Sequence, residues 1–312
     1  MGFLGQLLDP QQWFNALQWG SFYALIALGY SMVYSILMLF NFAHGDVFMV
    51  GAYIGFFVAT GFLVLASAGI IPASGWLIFV LTLVLTMLLT SFVGMAVERV
   101  AYRPLRNAPR ASAAITGLMV GIFLETGNLA LLGASRRTFP SLIETKTFQI
   151  GSVYVTNIKI LTIVLSLALM LALHLFVQKT KTGMAMRAMS YDYAAVPLMG
   201  VPMDRVIVLT FALGSALAGA AGVLFSMSYP VLEPYMGLLI GWKAFVAAIL
   251  GGRGSILGAV IGGFLLGFIE ILVAAAFVST MRDLIAFSIV LLILTFRPYG
   301  LFGEEYSARL RI

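Results

Sequence analysis

The sequence predicts an all-α polytopic membrane protein of eight or nine transmembrane helices, some of them broken, with a short helix on the cytoplasmic side. Three observations carry this. Hydrophobic residues fill 62% of the 312 positions and charged residues 10%, against roughly half and a quarter in a soluble globule. Mean hydropathy is +1.05. The apolar residues also gather into runs of about 20, the length that crosses ~30 Å of hydrocarbon at about 1.5 Å per residue.

In chain order the spans fall near 14 to 38, 47 to 66, 76 to 97, 112 to 133, 160 to 177, 206 to 228, 238 to 250, 256 to 276 and 284 to 296. The run 238 to 250 is short and bounded by glycine, which makes it a candidate half-helix. Positive charge sets the orientation. Residues 98 to 110 carry Arg99, Arg103, Arg106 and Arg110, with Pro104 and Pro109 opposing one continuous helix. Residues 178 to 205 carry Lys179, Lys181, Arg187 and Arg205, and the tail carries Arg297, Arg309 and Arg311. With these regions and Arg253 cytoplasmic, the N-terminus lies outside and residues 134 to 159 form an extracytoplasmic loop, despite Arg136 and Arg137. Within that loop "KTFQIGSVYV" alternates around a Gly-Ser pair, the pattern of a small hairpin. The whole of 1 to 312 then reads as one transmembrane domain.

Several function classes are excluded. The 18 Lys and Arg against 12 acids are spread between apolar runs, so the expected partner is a lipid bilayer and not nucleic acid. There is no cysteine, hence no disulfide or thiol chemistry, and His44 and His174 are too far apart in the chain to suggest a metal site. No cofactor is expected. No G-x-x-x-x-G-K-[ST] loop is present, so the chain is not expected to hydrolyse nucleotide. The start "MGFLGQLLDP" lacks a basic n-region and a cleavage signature, so a cleaved signal peptide is not expected.

Charges inside a bilayer are costly and are functional candidates by default. Glu125, Lys243 and Glu270 are therefore substrate-pathway candidates, together with the helix break at Gly251, Gly252 and Gly254. The competing reading is a set of paired groups that fix helix register, with Glu125 and Lys243 near enough to a helix end to reach water. The stretch "NFAHGDVFMVG" groups Asn41, His44, Gly45 and Asp46 in otherwise apolar sequence. It reads as a helix junction at or just inside the cytoplasmic side. Asn41 closes the first helix, Gly45 supplies a turn, and Asp46 is the N-cap of the next helix, bonding the amide of Phe48 or Met49. His44 has no assigned role. Residues 45 to 55 and 254 to 262 both run into Gly-Ala-x-Ile-Gly or its like, which suggests corresponding broken helices in two halves.

The loop "TKTGMAMRAMSYDYAAVPLMGVPMDR" predicts a short helix from Gly183 to Val196, bounded by Pro197, with Met184, Ala188, Tyr191 and Ala195 on one apolar face. Such a helix can lie on lipid or dock in a groove of a cytosolic protein; Asp192 and the two tyrosines favour the protein.

Together "NFAHGDVFMVGAY", "ERVAYRPLR", the 180 to 211 stretch and "GWKAFVAAILGGRGSILGAVIGGFLLGFIE" resemble, in order and over essentially the whole chain, the permease subunit of bacterial branched-chain amino-acid ABC transporters. The resemblance implies an inner-membrane importer: two permease subunits, two cytosolic ATPases and a periplasmic amino-acid-binding protein. It also implies that 178 to 205 is the coupling loop, with Gly183, Arg187, Ala188, Asp192, Ala194, Ala195 and Gly200 matching its recurring elements. Two positions depart from the pattern. Leu124-Glu125-Thr126 stands where relatives often have Leu-Gln-Asn, and Arg253 stands where a small or apolar residue is usual. A self-sufficient secondary transporter or channel is the alternative class, and low ionisable content together with the docking loop weighs against it.

Overall fold

A computed structural model describes residues 9–106, 108–193, 195–277 and 279–303; Ala194, Arg309 and Arg311 lie outside the described residues. Every expected span falls on a helix. These are α1 (Pro10–Leu37), α2 (His44–Ser67), α3 (Gly75–Val97), α4 (Arg110–Leu132), α5 (Asn157–Lys179), the surface helix α6 (Lys181–Tyr191), α7 (Met203–Ser228), α8 (Met236–Gly251), α9 (Ile256–Ala276) and α10 (Arg282–Phe296). Seven of them, α1 to α5, α7 and α9, are long and apolar enough to cross a membrane. At 16 residues α8 spans about 24 Å, less than the hydrocarbon thickness, in keeping with the half-helix expectation.

Local sequence explains the ends. Asp9 caps α1 by accepting from the Gln11 amide, with Pro10 at the first helical position. Ser255 caps α9 and Thr156 caps α5 in the same way. Pro104 does not stop α3 abruptly: a π-helical turn (Glu98–Tyr102) and a single 3-10 turn (Arg103–Leu105) carry it on before the chain breaks ahead of α4.

Helix α1 is buried along nearly all of residues 20 to 33, as a helix apolar on every side must be. Small residues let its neighbours approach. Gly20 and Gly267 bring α1 and α9 so close that a Cβ on Gly267 would lie 2.5 Å from the Gly20 nitrogen. The packing pattern occurs twice: α1 lies antiparallel on α9 and also contacts α8, while α7 lies antiparallel on α3 and also contacts α2. The trio α1–α2–α3 therefore matches α7–α8–α9 with opposite direction through the membrane, an inverted repeat. This corrects the correspondence expected from sequence. By packing, the counterpart of α2 is α8, and residues 254 to 262 begin α9, the counterpart of α3.

The two ends of the bundle carry different features. On one, strands β2 (Thr147–Ile150) and β3 (Val153–Thr156) form the expected hairpin around Gly151, whose φ is +62°. Gln11 at the start of α1 donates to the Tyr154 carbonyl at 3.1 Å and accepts from its amide at 2.8 Å. A second small sheet pairs β1 (Arg137–Thr138) with β4 (Val231–Leu232). On the other face Arg103 and Arg106 both bind Asp204, and Arg106 also binds Glu98.

Candidate functional site

The junction between α1 and α2 differs from its sequence reading in three details. Met38, at φ +55°, closes α1 by donating its amide to the Tyr34 carbonyl, and Asn41 instead accepts from the Tyr102 hydroxyl at 3.0 Å. The N-cap of α2 is Ala43, which makes no side-chain bond, and Asp46 sits inside the first turn. Gly45 is helical. Its lack of a side chain serves close approach to α8, since a Cβ there would lie 2.7 Å from the Gly241 Cα.

The junction also lies deep. His44 packs directly on Gly29 of α1, and its ring meets Tyr30 edge-on with centroids 4.9 Å apart. Gly29 precedes the end of α1 by eight residues, so α2 starts roughly 12 Å inside that end. Irregular backbone at such depth is tolerated only when protein satisfies it. Here the Tyr30 hydroxyl accepts from the Gly45 amide at 3.1 Å, and the Ala43 carbonyl accepts from Asp46 and Val47. His44 thus finds a place as a wedge between α1 and the junction.

Asp46 lies between two glycines of other helices. Its Oδ2 rests on Gly121 of α4, and its Oδ1 lies 2.9 Å from where a Cβ on Gly237 of α8 would stand. Glu125, one helical turn beyond Gly121, lines the same cavity as Asp46. Asp46 is 6% exposed and Glu125 7%, so Glu125 does not reach water. Asp46 Oδ1 and Glu125 Oε1 have no hydrogen-bond partner among the described residues. The pair lines a cavity of about 120 Å³ whose other walls include Tyr30, Phe42, Ile122, Trp242 and Phe245.

Lys243 and Glu270 are arranged differently. Lys243 donates to Glu270 Oε1 at 2.6 Å and to Asp283 Oδ1 at 2.9 Å, the Tyr23 hydroxyl donates to Glu270 Oε2 at 2.6 Å, and Arg282 Nε lies 3.0 Å from Glu270 Oε1. Two cations and two anions thus close a network across α1, α8, α9 and α10. Lys243 is buried with Glu270 and does not reach water. The glycine break lies between α8 and α9, with Gly252 at φ +124° and Gly254 at φ +80°. The carbonyls of Leu250 and Gly251 accept from the amides of Leu301 and Phe302, each at 2.9 Å, while Arg253 donates to the Pro298 carbonyl. These carbonyls are already in use.

Helix α6 is shorter than expected. Thr180 caps it by accepting from the Gly183 amide, and it ends at Tyr191, where Asp192 turns extended and accepts from the Ala195 amide at 3.0 Å. A 3-10 turn (Val196–Met199) and Gly200, at φ +76°, follow. Gly183, Met186 and Met189 face the bundle, and Arg187 donates to the Val177 carbonyl of α5. Ala188 is half-buried, and Ala195 lies beyond the helix. The predicted apolar face is the outer one: Met184 is 61% exposed and Tyr191 74%.

Sequence reasoning missed Asp46 as the partner of Glu125, and it missed Asp283 and Arg282 as the partners of Lys243 and Glu270. The one local signal was Gly121 four residues before Glu125, a small residue on the same helix face.

The family described as branched-chain amino acid transport system, permease component, matches residues 12–295. The chain is 39% identical over 299 residues to the high-affinity branched-chain amino acid transport system permease protein LivH of Escherichia coli, covering 94% of this chain and 95% of that one. It is 40% identical, with the same coverage, to the corresponding permease protein BraD of Pseudomonas aeruginosa. The ribose import permease protein RbsC of Haemophilus influenzae is 25% identical over 151 residues, 46% of either chain.

Proposed function

The chain belongs to the permease family of branched-chain amino acid transport systems, and on that premise we propose that it carries a branched-chain or related amino acid from periplasm to cytoplasm. It is a multi-pass ABC-importer permease, and such a permease works with ATPase and binding-protein partners. The finer assembly is two permease subunits over two cytosolic ATPases, with the binding protein delivering substrate to the 134 to 159 loop and the ATPases docking on the 178 to 205 loop.

The observation that carries this reading is α6. Its inner face is anchored by Thr180, Arg187 and Met186, and its outer face offers Met184 and Tyr191 with Leu198 and Met199 beside them, all exposed. A short rigid helix with an apolar stripe turned outward suits a groove on a cytosolic protein. Closure of the ATPases on ATP would then move α6, and through Val177 the end of α5. The inverted repeat supplies bodies that rock against each other to alternate access. The cavity at Asp46 and Glu125 lies between them, and the face of α4 and α8 on which it borders is where the second permease would complete the route.

The test is reconstitution with ATPases and binding protein. Met184→Asp with Tyr191→Asp should leave the permease folded and abolish binding-protein-stimulated ATP hydrolysis and uptake. Full stimulated turnover in that variant would overturn the docking role, and uptake driven by an ion gradient without ATPases would overturn the importer reading.

A further inference from the structure

We propose that Asp46 and Glu125 bind the ammonium group of the transported amino acid inside the membrane, a reading that rests on the importer function above and names the contact its route makes with the substrate.

The acids come from different helices and meet only in the tertiary structure. Each keeps a buried oxygen without a partner, Oδ1 of Asp46 and Oε1 of Glu125. Buried carboxyls are ordinarily paired with a cation or a set of donors, and this protein does so elsewhere: Glu270 and Asp283 have Lys243 and Arg282. Among the described residues no Lys, Arg or His lines the cavity at Asp46. The missing partner is therefore a cation supplied from outside the chain.

Charge and shape narrow the class. Two buried carboxyls on one small cavity repel when both are ionised, which favours one proton and one negative charge on the pair, and one monovalent cation neutralises it. An ammonium has three donors to place on such acceptors. The remaining walls are aromatic and aliphatic, with Tyr30, Phe42 and Trp242 among them, a lining that suits both a cation and a hydrocarbon side chain. A volume of about 120 Å³ is several times what one water needs, enough for an ammonium head and the first carbons attached to it. Gly121 and Gly237 hold Asp46 at this spot from two sides without covering it with a side chain. An amide at position 125, as in the family pattern, would remove the second carboxyl and place NH2 donors in the cavity that compete with an ammonium for Asp46, so Glu125 is the residue that sets this chain apart.

The test uses the assembled transporter in proteoliposomes and a hydrophobic carbodiimide, which modifies buried carboxyl groups, with labelling of Asp46 and Glu125 read by peptide mass spectrometry. L-Leucine and 3-methylbutylamine, which keeps the ammonium and lacks the carboxylate, should each slow labelling of the pair at least fivefold. 4-Methylpentanoate, which keeps the carboxylate and lacks the ammonium, should not. Glu125→Gln should abolish amine protection at Asp46 and lower uptake at least tenfold. No labelling of the pair, protection by 4-methylpentanoate equal to that by the amine, or undiminished uptake by Glu125→Gln overturns the assignment. Failure of the wild-type complex to accumulate leucine would overturn the importer reading instead, because labelling and its protection are measured without transport.

Discussion

Lys243 Nζ lies 2.6 Å from Glu270 Oε1 inside the helix bundle, and the pair ties α8 to α9 where α8 is too short to cross the membrane alone. Replacing one partner strands the other. Glu270→Leu should destabilise the protein by about 3 kcal/mol, seen as a lower unfolding temperature in detergent. Lys243→Met combined with Glu270→Leu should recover much of the loss, because a buried pair is replaced by apolar side chains of similar size.

Gly121 faces the Asp46 carboxyl, and Gly127 on the same helix has nothing within 4 Å of where its Cβ would stand. Gly121→Ala should therefore force Asp46 aside, costing about 1 to 3 kcal/mol and most of the uptake. Gly127→Ala should be neutral, or stabilise by up to about 1 kcal/mol through helix propensity. Thermal unfolding and uptake of the two variants, side by side, separate contact from propensity.

Arg187 holds α6 to α5 through the Val177 carbonyl. Arg187→Met should keep the apolar outer stripe and yet reduce stimulated ATP hydrolysis severalfold, since the helix loses its tether to α5. Asp192→Asn should be far milder, because an amide oxygen still accepts from the Ala195 amide. Equal losses in the two variants would count against a tethering role.

Gln11 grips the Tyr154 backbone with both ends of its amide. Gln11→Ala should free the hairpin at a cost of about 1 kcal/mol. Hydrogen exchange across 147 to 156 should then speed up severalfold while exchange in α1 below residue 20 stays unchanged.

Much of the fold was legible in order along the chain. Runs of apolar residues, the arginines after α3 and the Thr180 to Gly200 loop depend on local composition, and local composition is what the bilayer reads. The alternation in "KTFQIGSVYV" likewise sufficed for the hairpin. The site was less legible. Asp46 has the chemistry of a cap, and the cap reading failed because α2 begins three residues earlier, where Ala43 makes no side-chain bond while Tyr30 takes the Gly45 amide.

By itself the sequence determined that this chain lives in a membrane, where its helices run and where charge gathers between them. These follow from transfer of side chains out of water and from charge placed at helix ends. Only the tertiary structure decided which intramembrane charges are mutually neutralised and which are left open. Lys243 found Glu270 and Asp283, while Asp46 found a second acid, because helices distant in sequence approach through glycines whose contacts depend on packing in three dimensions. The depth of "NFAHGDVFMVG" was decided in the same way: the segment reads as a turn near the surface, and packing of His44 on Gly29 draws it into the bundle.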